Sequence, residues 1–218
     1  MNSIGSRLEA VLDKLKYIKD NKLFADIGSD HAYLAIEAVS RGYAESAIAS
    51  DINPMPLAKG KENANALGID VEFILSDGFD AFDTLPVTSA AICGMGGELI
   101  AKIVLRSKIC KSAHLLLQPM SAQEELRKAL WDNGFEIECE RFVVESKKPY
   151  TVISARYTGE KYKYSYLDLY LGKERSPSPE FSAYCEKALA SAVKRKLGII
   201  SRGEDTRDID SLIDFCNN

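Results

Sequence analysis

The feature that most constrains this chain is an alternation. Short apolar runs, each closed by a glycine, aspartate or proline, alternate with segments of helical periodicity. The runs are KLFADIG, ending at Gly28, SAIASD at Asp51, VEFILSD at Asp77, TSAAICG at Gly94 and HLLLQP at Pro119. Between them HAYLAIEAVSRG, PLAKGKENANALG, GELIAKIVLR and SAQEELRKALWDN place apolar residues every three or four positions. Buried strands alternating with helices pair in parallel through right-handed crossovers, with helices on both faces of the sheet. Ser121 with Glu124 three residues later predicts a capping box for the last of these helices, and Pro119 is expected to halt the strand before it. GFEIECERFVVE and YTVISARY follow with only SKKP between them, which predicts an antiparallel hairpin at or near one edge. The expected fold is α/β and Rossmann-like, a seven-stranded, mostly parallel sheet with an antiparallel last strand.

Outside the alternation, residues 3–20 read as a helix with Ile4, Leu8, Val11, Leu12, Leu15 and Ile18 on one side. After residue 160 the composition turns rich in Tyr, Lys and Ser, and Ser-Pro-Ser-Pro marks a break. Residues 180–201 and 205–216 then read as a small helical hairpin. The expected division is therefore a domain over 1–160 and a helical appendage over 161–218. The net charge of −4 conceals one basic stretch: residues 175–202 hold six Lys and Arg against two acids.

Composition excludes several classes. At 46% apolar and 28% charged residues, the chain is neither disordered nor collagen-like. The N-terminus lacks the apolar core of a signal peptide, and no run is long enough to span a membrane. Five scattered cysteines without C-x-x-C spacing predict reduced thiols in a cytoplasmic protein, expected to be monomeric. With only two histidines, no metal site is expected.

In a doubly wound sheet, ligands bind at the carboxyl ends of the strands near the switch point. Those ends read Asp26-Ile27-Gly28-Ser29-Asp30-His31, Asp51, Asp77-Gly78, Gly94-Met95-Gly96-Gly97 and Gln118-Pro119. Asp51 lies 23 residues after Gly28, a spacing that suits an acceptor for ribose hydroxyls. Three glycines in four residues after a buried strand carry an entropic cost, and imply that something lies close against the chain there. The loop after the first strand is not G-x-G-x-x-G, and Asp30 stands where a pyrophosphate would approach, so NAD and FAD are disfavoured. No P-loop occurs. A ribose-bearing cofactor without phosphate and with positive charge fits such an acidic pocket, and S-adenosylmethionine is that molecule.

The residues now assembled resemble one family. Arg7-Leu8-Glu9, the decapeptide from Ala25 to Leu34, Gly94-Met95-Gly96-Gly97, Leu117-Gln118-Pro119 and the stretch from Tyr150 to Arg156 are similar to the bacterial tRNA (adenine-22-N1)-methyltransferases, the TrmK family, within the class I S-adenosylmethionine-dependent methyltransferases. The resemblance covers about residues 1–165. It implies methyl transfer to N1 of an adenine in the D-arm region of tRNA, and a C-terminal, coiled-coil-like appendage that helps to hold the RNA.

Roles follow as expectations. Asp26, with Gly28 and Ser29, would hold the methionine end of the cofactor or order the loop that does. Asp51 and Ile52 would hold the ribose end, and Asp77 with Gly78 the cofactor adenine. Gly94, Met95, Gly96 and Gly97 would floor the space between methyl and target base, and Gln118 would bond that base. The target's N1 lies on its pairing edge, so the base must leave its stack. Asp30 would offset the cationic product, with His31 or Tyr33 orienting or stacking. Lys187, Lys194, Arg195, Lys196 and Arg202 would meet RNA phosphates. A methyltransferase acting on a small molecule or protein, and a non-catalytic RNA-binding module, are the alternatives that residues alone leave open.

Overall fold

The computed structural model describes residues 4–217. Helix α1 (Ser6–Leu15) precedes β1 (Leu23–Ile27), α2 (Tyr33–Ser40), β2 (Ser46–Asp51), α3 (Pro54–Leu67) and β3 (Glu72–Leu75). The chain continues with β4 (Ser89–Gly96), α4 (Gly97–Arg106), β5 (His114–Ser121), α5 (Gln123–Asp132), β6 (Phe135–Glu145) and β7 (Lys148–Tyr157). It ends in α6 (Tyr166–Leu171), α7 (Pro179–Ser201) and α8 (Arg207–Asn217). The strand order is β3-β2-β1-β4-β5-β7-β6. The five strands β1 to β5 pair in parallel, and β7 runs antiparallel to both β5 and β6. The expected fold class is therefore the observed one.

Each face of the sheet is covered because each crossover helix buries one apolar stripe. Val11, Leu12 and Leu15 of α1 and Leu34, Ile36 and Ala38 of α2 close one face. Ile100, Ile103 and Val104 of α4 and Leu126 and Leu130 of α5 close the other. No helix links β3 to β4. Residues 76–88 make turns instead, and Phe79 and Phe82 plug the face that a helix would have covered.

Three local expectations are corrected. Pro119 does not end β5, which runs on to Ser121. Pairing with β7 stops at Leu117, so the missing N–H of Pro119 removes no bond from that side of the ladder. Ser121 therefore stays in the strand, opposite Gly96, and does not cap α5. The residue before that helix is Ala122, in the left-handed region, and no side chain caps it. The third correction is α6, a helix in the Tyr-, Lys- and Ser-rich stretch after residue 160, where composition outweighs periodicity and no helix is expected. Its signal was local: Ser165 and Asp168 form a reciprocal capping box.

The three C-terminal helices share a small core of Leu171, Phe181, Tyr184, Ala192, Ile209 and Leu212, against which Phe142 of β6 packs. A buried ion pair joins them to the sheet. Arg127 of α5 donates through Nε to Glu140 of β6 at 2.9 Å, and through Nη1 to the Leu169 carbonyl at 2.7 Å. Its Nη2 donates to the Tyr184 hydroxyl at 3.4 Å. All five cysteines are free thiols, as expected.

Candidate active site

The chain leaves β1 for β2 and β3 and returns to β4 on β1's other side, so the switch point lies between β1 and β4. A cleft of about 400 Å³ opens there, lined by Arg7, Leu8, Asp26, Gly28, Asp30, Tyr33, Leu34, Asp51, Cys93, Gly94, Met95 and Met120. It takes residues from the ends of β1, β2, β4 and β5 and from α1 and α2.

Asp26 is the centre of this arrangement. It is 4% exposed, and among the described residues no cation pairs with it. Ser29 Oγ donates to its Oδ2 at 2.7 Å, and the Ala35 backbone N–H in the first turn of α2 also bonds it. Burial raises its pKa to about 6, with the Ser29 and Ala35 bonds working the other way and the Asp51 charge adding to the rise. One carboxylate thus orders the β1–α2 loop and puts unbalanced negative charge on the cleft floor.

That loop is conformationally demanding. Gly28, His31 and Ala32 all have left-handed φ, two of them without the freedom of glycine. Gly28 and Ser29 both donate N–H bonds to the Ser50 carbonyl at 2.8 Å, which holds the loop against β2. A Cβ on Gly28 would meet only the flexible tip of Met95, at 2.0 Å from Cε, so it is the left-handed φ of +70° that favours glycine here. Backbone held in sparsely populated regions clusters at functional sites.

The remaining expected residues divide. Asp51 lines the cleft at the end of β2, its Oδ1 accepting from the Asn53 N–H at 2.7 Å, and Ile52 beside it is a largely exposed apolar side chain. Asp30 stands at the lip with a 79% exposed side chain, its Oδ1 3.2 Å from His31 Nε2. His31 does not line the cleft. Its ring stacks on Tyr33, which does. Gly94, with left-handed φ, lines the cleft with Met95, whereas Gly96 faces Ser121. Gly97 is buried: a Cβ there would lie 2.1 Å from the Ala122 carbonyl, so what crowds this glycine is the protein's own backbone. Asp77 and Gly78 lie outside the cleft lining, and Arg106 holds the Asp77 carboxylate at 3.1 Å and donates to its carbonyl at 2.8 Å.

Gln118 is fully buried, and its amide is engaged on both sides. Oε1 accepts from Arg7 Nη1 at 2.6 Å and from the Gly94 N–H at 3.3 Å, and Nε2 donates to the Pro119 carbonyl at 3.0 Å. Its place is behind the cleft wall, tying Arg7 to the β4 loop. Arg7 lines the cleft although no role was assigned to it from sequence. Among the described residues it is the one cation in the lining, held by Glu145 through Nε at 2.9 Å and set over the Tyr150 ring. Its only sequence signal was membership of Arg7-Leu8-Glu9, on a helix whose stripe faces the sheet. Cys93 also lines the cleft, but burial pushes its thiol far up, so it stays protonated.

The basic residues of α7 are not equivalent. Lys196 pairs with Asp210 at 2.6 Å, and Arg202 pairs with Glu204 at 2.7 Å. Arg195 lies on the Tyr170 ring, 3.9 Å from Glu124. Lys194 is exposed. Lys187 is exposed too, but its ammonium lies near the Tyr150 and Tyr184 rings. Among the described residues no helix is long and apolar enough to cross a membrane, and no group of His, Cys, Asp and Glu is arranged to hold a metal ion.

Comparison with known proteins bears directly on this geometry. A methyltransferase-domain family matches residues 4–153. The tRNA (adenine(22)-N(1))-methyltransferase of Bacillus subtilis is 31% identical over 156 residues, 70% of this chain and 64% of the relative. The matched segment thus spans just under two thirds of that relative's length. A crystal structure of a Streptococcus pneumoniae putative tRNA (m1A22) methyltransferase, in complex with S-adenosyl-L-methionine, superposes with a TM-score of 0.82 at 30% identity, covering 97% of this chain and 100% of that one. This chain belongs to the TrmK family of methyltransferases. Another similar structure, the Bacillus subtilis m1A22 tRNA methyltransferase TrmK, has a TM-score of 0.77 at 27% identity and covers 99% of this chain and 94% of its own. With 97–99% of the chain superposed, the TrmK-family likeness takes in the C-terminal helices as well as the sheet.

Proposed function

We propose that this chain transfers a methyl group from S-adenosylmethionine to N1 of an adenine in tRNA, at position 22 as in the relatives whose names specify it. The observation that carries the reading is Asp26: a buried carboxylate with no cation, at the switch point of a TrmK-family fold, facing a cleft whose size and acidity suit a cationic nucleoside. Burying an uncompensated charge is costly, and a ligand cation supplies what the fold omits.

The residues fit that cofactor at both ends. Asp26 would take the methionine amino group, and Arg7, the one cation lining the cleft, would take its carboxylate. Asp51 would accept from the ribose hydroxyls, with Ile52 offering apolar surface to the adenine. When bound, S-adenosylmethionine supplies a methyl group on a positively charged sulfur. The chain's task is positional: N1 of adenine already carries a lone pair, so holding it in line and excluding water accounts for most of the acceleration. Gly94 and Met95 form the wall nearest that approach, and Tyr33 offers a ring face at the lip. The methylated base is cationic, and Asp30 at the same lip would offset that charge, oriented by His31. We assign residues 1–160 to the methyl-transfer unit and the helical appendage over 161–218 to holding the RNA.

The test is incubation of the protein with methyl-labelled S-adenosylmethionine and unmodified tRNA, then digestion to nucleosides. Label in 1-methyladenosine is the expected result. Cofactor binding with no label in tRNA would overturn the reading and direct the search to other acceptors.

A further inference from the structure

The cofactor cleft does not end at Met120. This residue also lines a second cleft, of about 220 Å³, between the sheet and the C-terminal helices. Ser121 and Gln123 form its wall on one side, and Tyr170, Tyr184 and Lys187 on the other. Lys187 is the distinctive member. Its ammonium lies within 6 Å of the Tyr150 and Tyr184 ring centres, and its one hydrogen bond is to the Pro149 carbonyl at 3.5 Å. The other cation beside Tyr150 is Arg7, 5.2 Å from that ring and facing the cofactor cleft. Arg7 has Glu145 as its counter-ion, whereas Lys187 has no carboxylate within ion-pair distance among the described residues. Glu124, on the same wall, is 3.9 Å from Arg195, and its charge reaches Lys187 only from beyond ion-pair distance.

An ammonium on a cleft wall, without a counter-ion, is a receptor for an anion. Lys196 and Arg202 of α7 are neutralised by Asp210 and Glu204, and Lys194 is exposed and lines no part of this cleft, so Lys187 is the α7 cation placed for that role. We propose that this second cleft receives the phosphodiester of the nucleotide whose base enters the cofactor cleft, with Lys187 as its anchor. The proposal rests on the methyl-transfer reading above and deepens it. A base drawn from its stack brings its own phosphate to the mouth of the pocket, and the two clefts meet at Met120. Tyr150, between Arg7 and Lys187, keeps the two cations at a set spacing, one for the cofactor and one for the RNA. A phosphate contact of this kind positions the substrate without reading its sequence.

Steady-state methylation of an unmodified tRNA transcript by the full chain tests this, with Lys187→Met and Lys187→Arg beside the unaltered protein. Methionine keeps the apolar stem over Tyr150 and removes only the charge. The expected result is a fall of about tenfold or more in kcat/KM for tRNA with Lys187→Met, the worth of one charge-assisted hydrogen bond. The salt dependence of tRNA affinity should lose about one ion's worth of slope. Lys187→Arg should restore most of both, and the cofactor dissociation constant should be the same in all three proteins. If the unaltered protein methylates tRNA and Lys187→Met matches it in kcat/KM and salt slope, the anchor is wrong and the function stands. An equal loss of cofactor affinity in Lys187→Met would also overturn it, by revealing a structural role. If the unaltered protein binds the cofactor and leaves tRNA unlabelled, the functional reading falls, and the anchor falls with it.

Discussion

Two buried carboxylates carry opposite assignments. Glu140, with a 2% exposed side chain, lies where β6 meets the C-terminal helices, and Asp26, 4% exposed, lies at the end of β1. Glu140 is met by Arg127, whose guanidinium also reaches Leu169 and Tyr184. Asp26 is met only by a hydroxyl and a backbone N–H. The first acid is compensated from within the protein, and its work is to join two parts of the fold. The second has no such partner among the described residues, and under the proposed function a ligand cation would supply it. Burial alone does not separate the two acids, whereas the presence or absence of a cation does.

Breaking the compensated pair should have the largest effect on stability. Arg127→Met leaves Glu140 buried and unpaired, which is expected to destabilise by about 3–5 kcal/mol. For a chain of this size that lowers the thermal midpoint by roughly 10 °C, read by calorimetry. The double variant Arg127→Met, Glu140→Leu should recover most of the loss. A single variant as stable as the parent would remove the distinction between the two sites.

Asp26→Asn should act in the opposite direction on stability. A pKa raised to about 6 means that the folded protein holds a proton that the unfolded chain releases near the ordinary Asp value of 3.8. Stability from this group therefore falls as pH rises from about 4 to about 6 and is level above, a difference of about 3 kcal/mol at neutral pH. Asp26→Asn is expected to raise the midpoint of the cofactor-free protein by a few degrees while weakening cofactor binding about 100-fold, both measurable by calorimetry. In the unaltered protein a cationic ligand favours ionised Asp26, so the cofactor dissociation constant should fall as pH rises towards about 6 and level off above it. A flat profile from pH 5 to 8 would show that Asp26 does not face the ligand's charge.

The smallest effect should come from Glu145, partly exposed and paired with Arg7. Burial pushes its pKa up, but the Arg7 side-chain and backbone bonds outweigh this and hold it below the ordinary Glu range. Its contribution is present at neutral pH and is lost on acidification, the reverse of Asp26. Glu145→Gln should lower stability by about 1 kcal/mol in denaturant unfolding.

Much of the fold was legible because burial writes itself into periodicity. The runs ending at Gly28, Asp51, Asp77, Gly94 and Pro119 each became a strand, and the SKKP connection became a hairpin closing on the two left-handed residues Ser146 and Lys147. What failed was local. Ser121 followed by Glu124 reads as a helix start only if Ser121 is free, and pairing with Gly96 took it into the strand. Asp26, Asp51, Gly28 and Gly94 were visible as strand ends, and the structure brings them to one cleft. Gln118 and Gly97 were equally visible, yet one is buried behind Arg7 and the other is crowded by the Ala122 carbonyl.

The sequence by itself determined the sheet, its parallel order and the placing of ligand-facing residues at strand ends, because hydrophobic spacing and chain connectivity suffice for these. Which charged groups are compensated was decided only in three dimensions. Arg127 and Glu140 are 13 residues apart, Arg7 and Glu145 are 138 apart, and nothing in either spacing announces a pair. Electrostatic balance depends on distance and burial, and both exist only once the chain has folded.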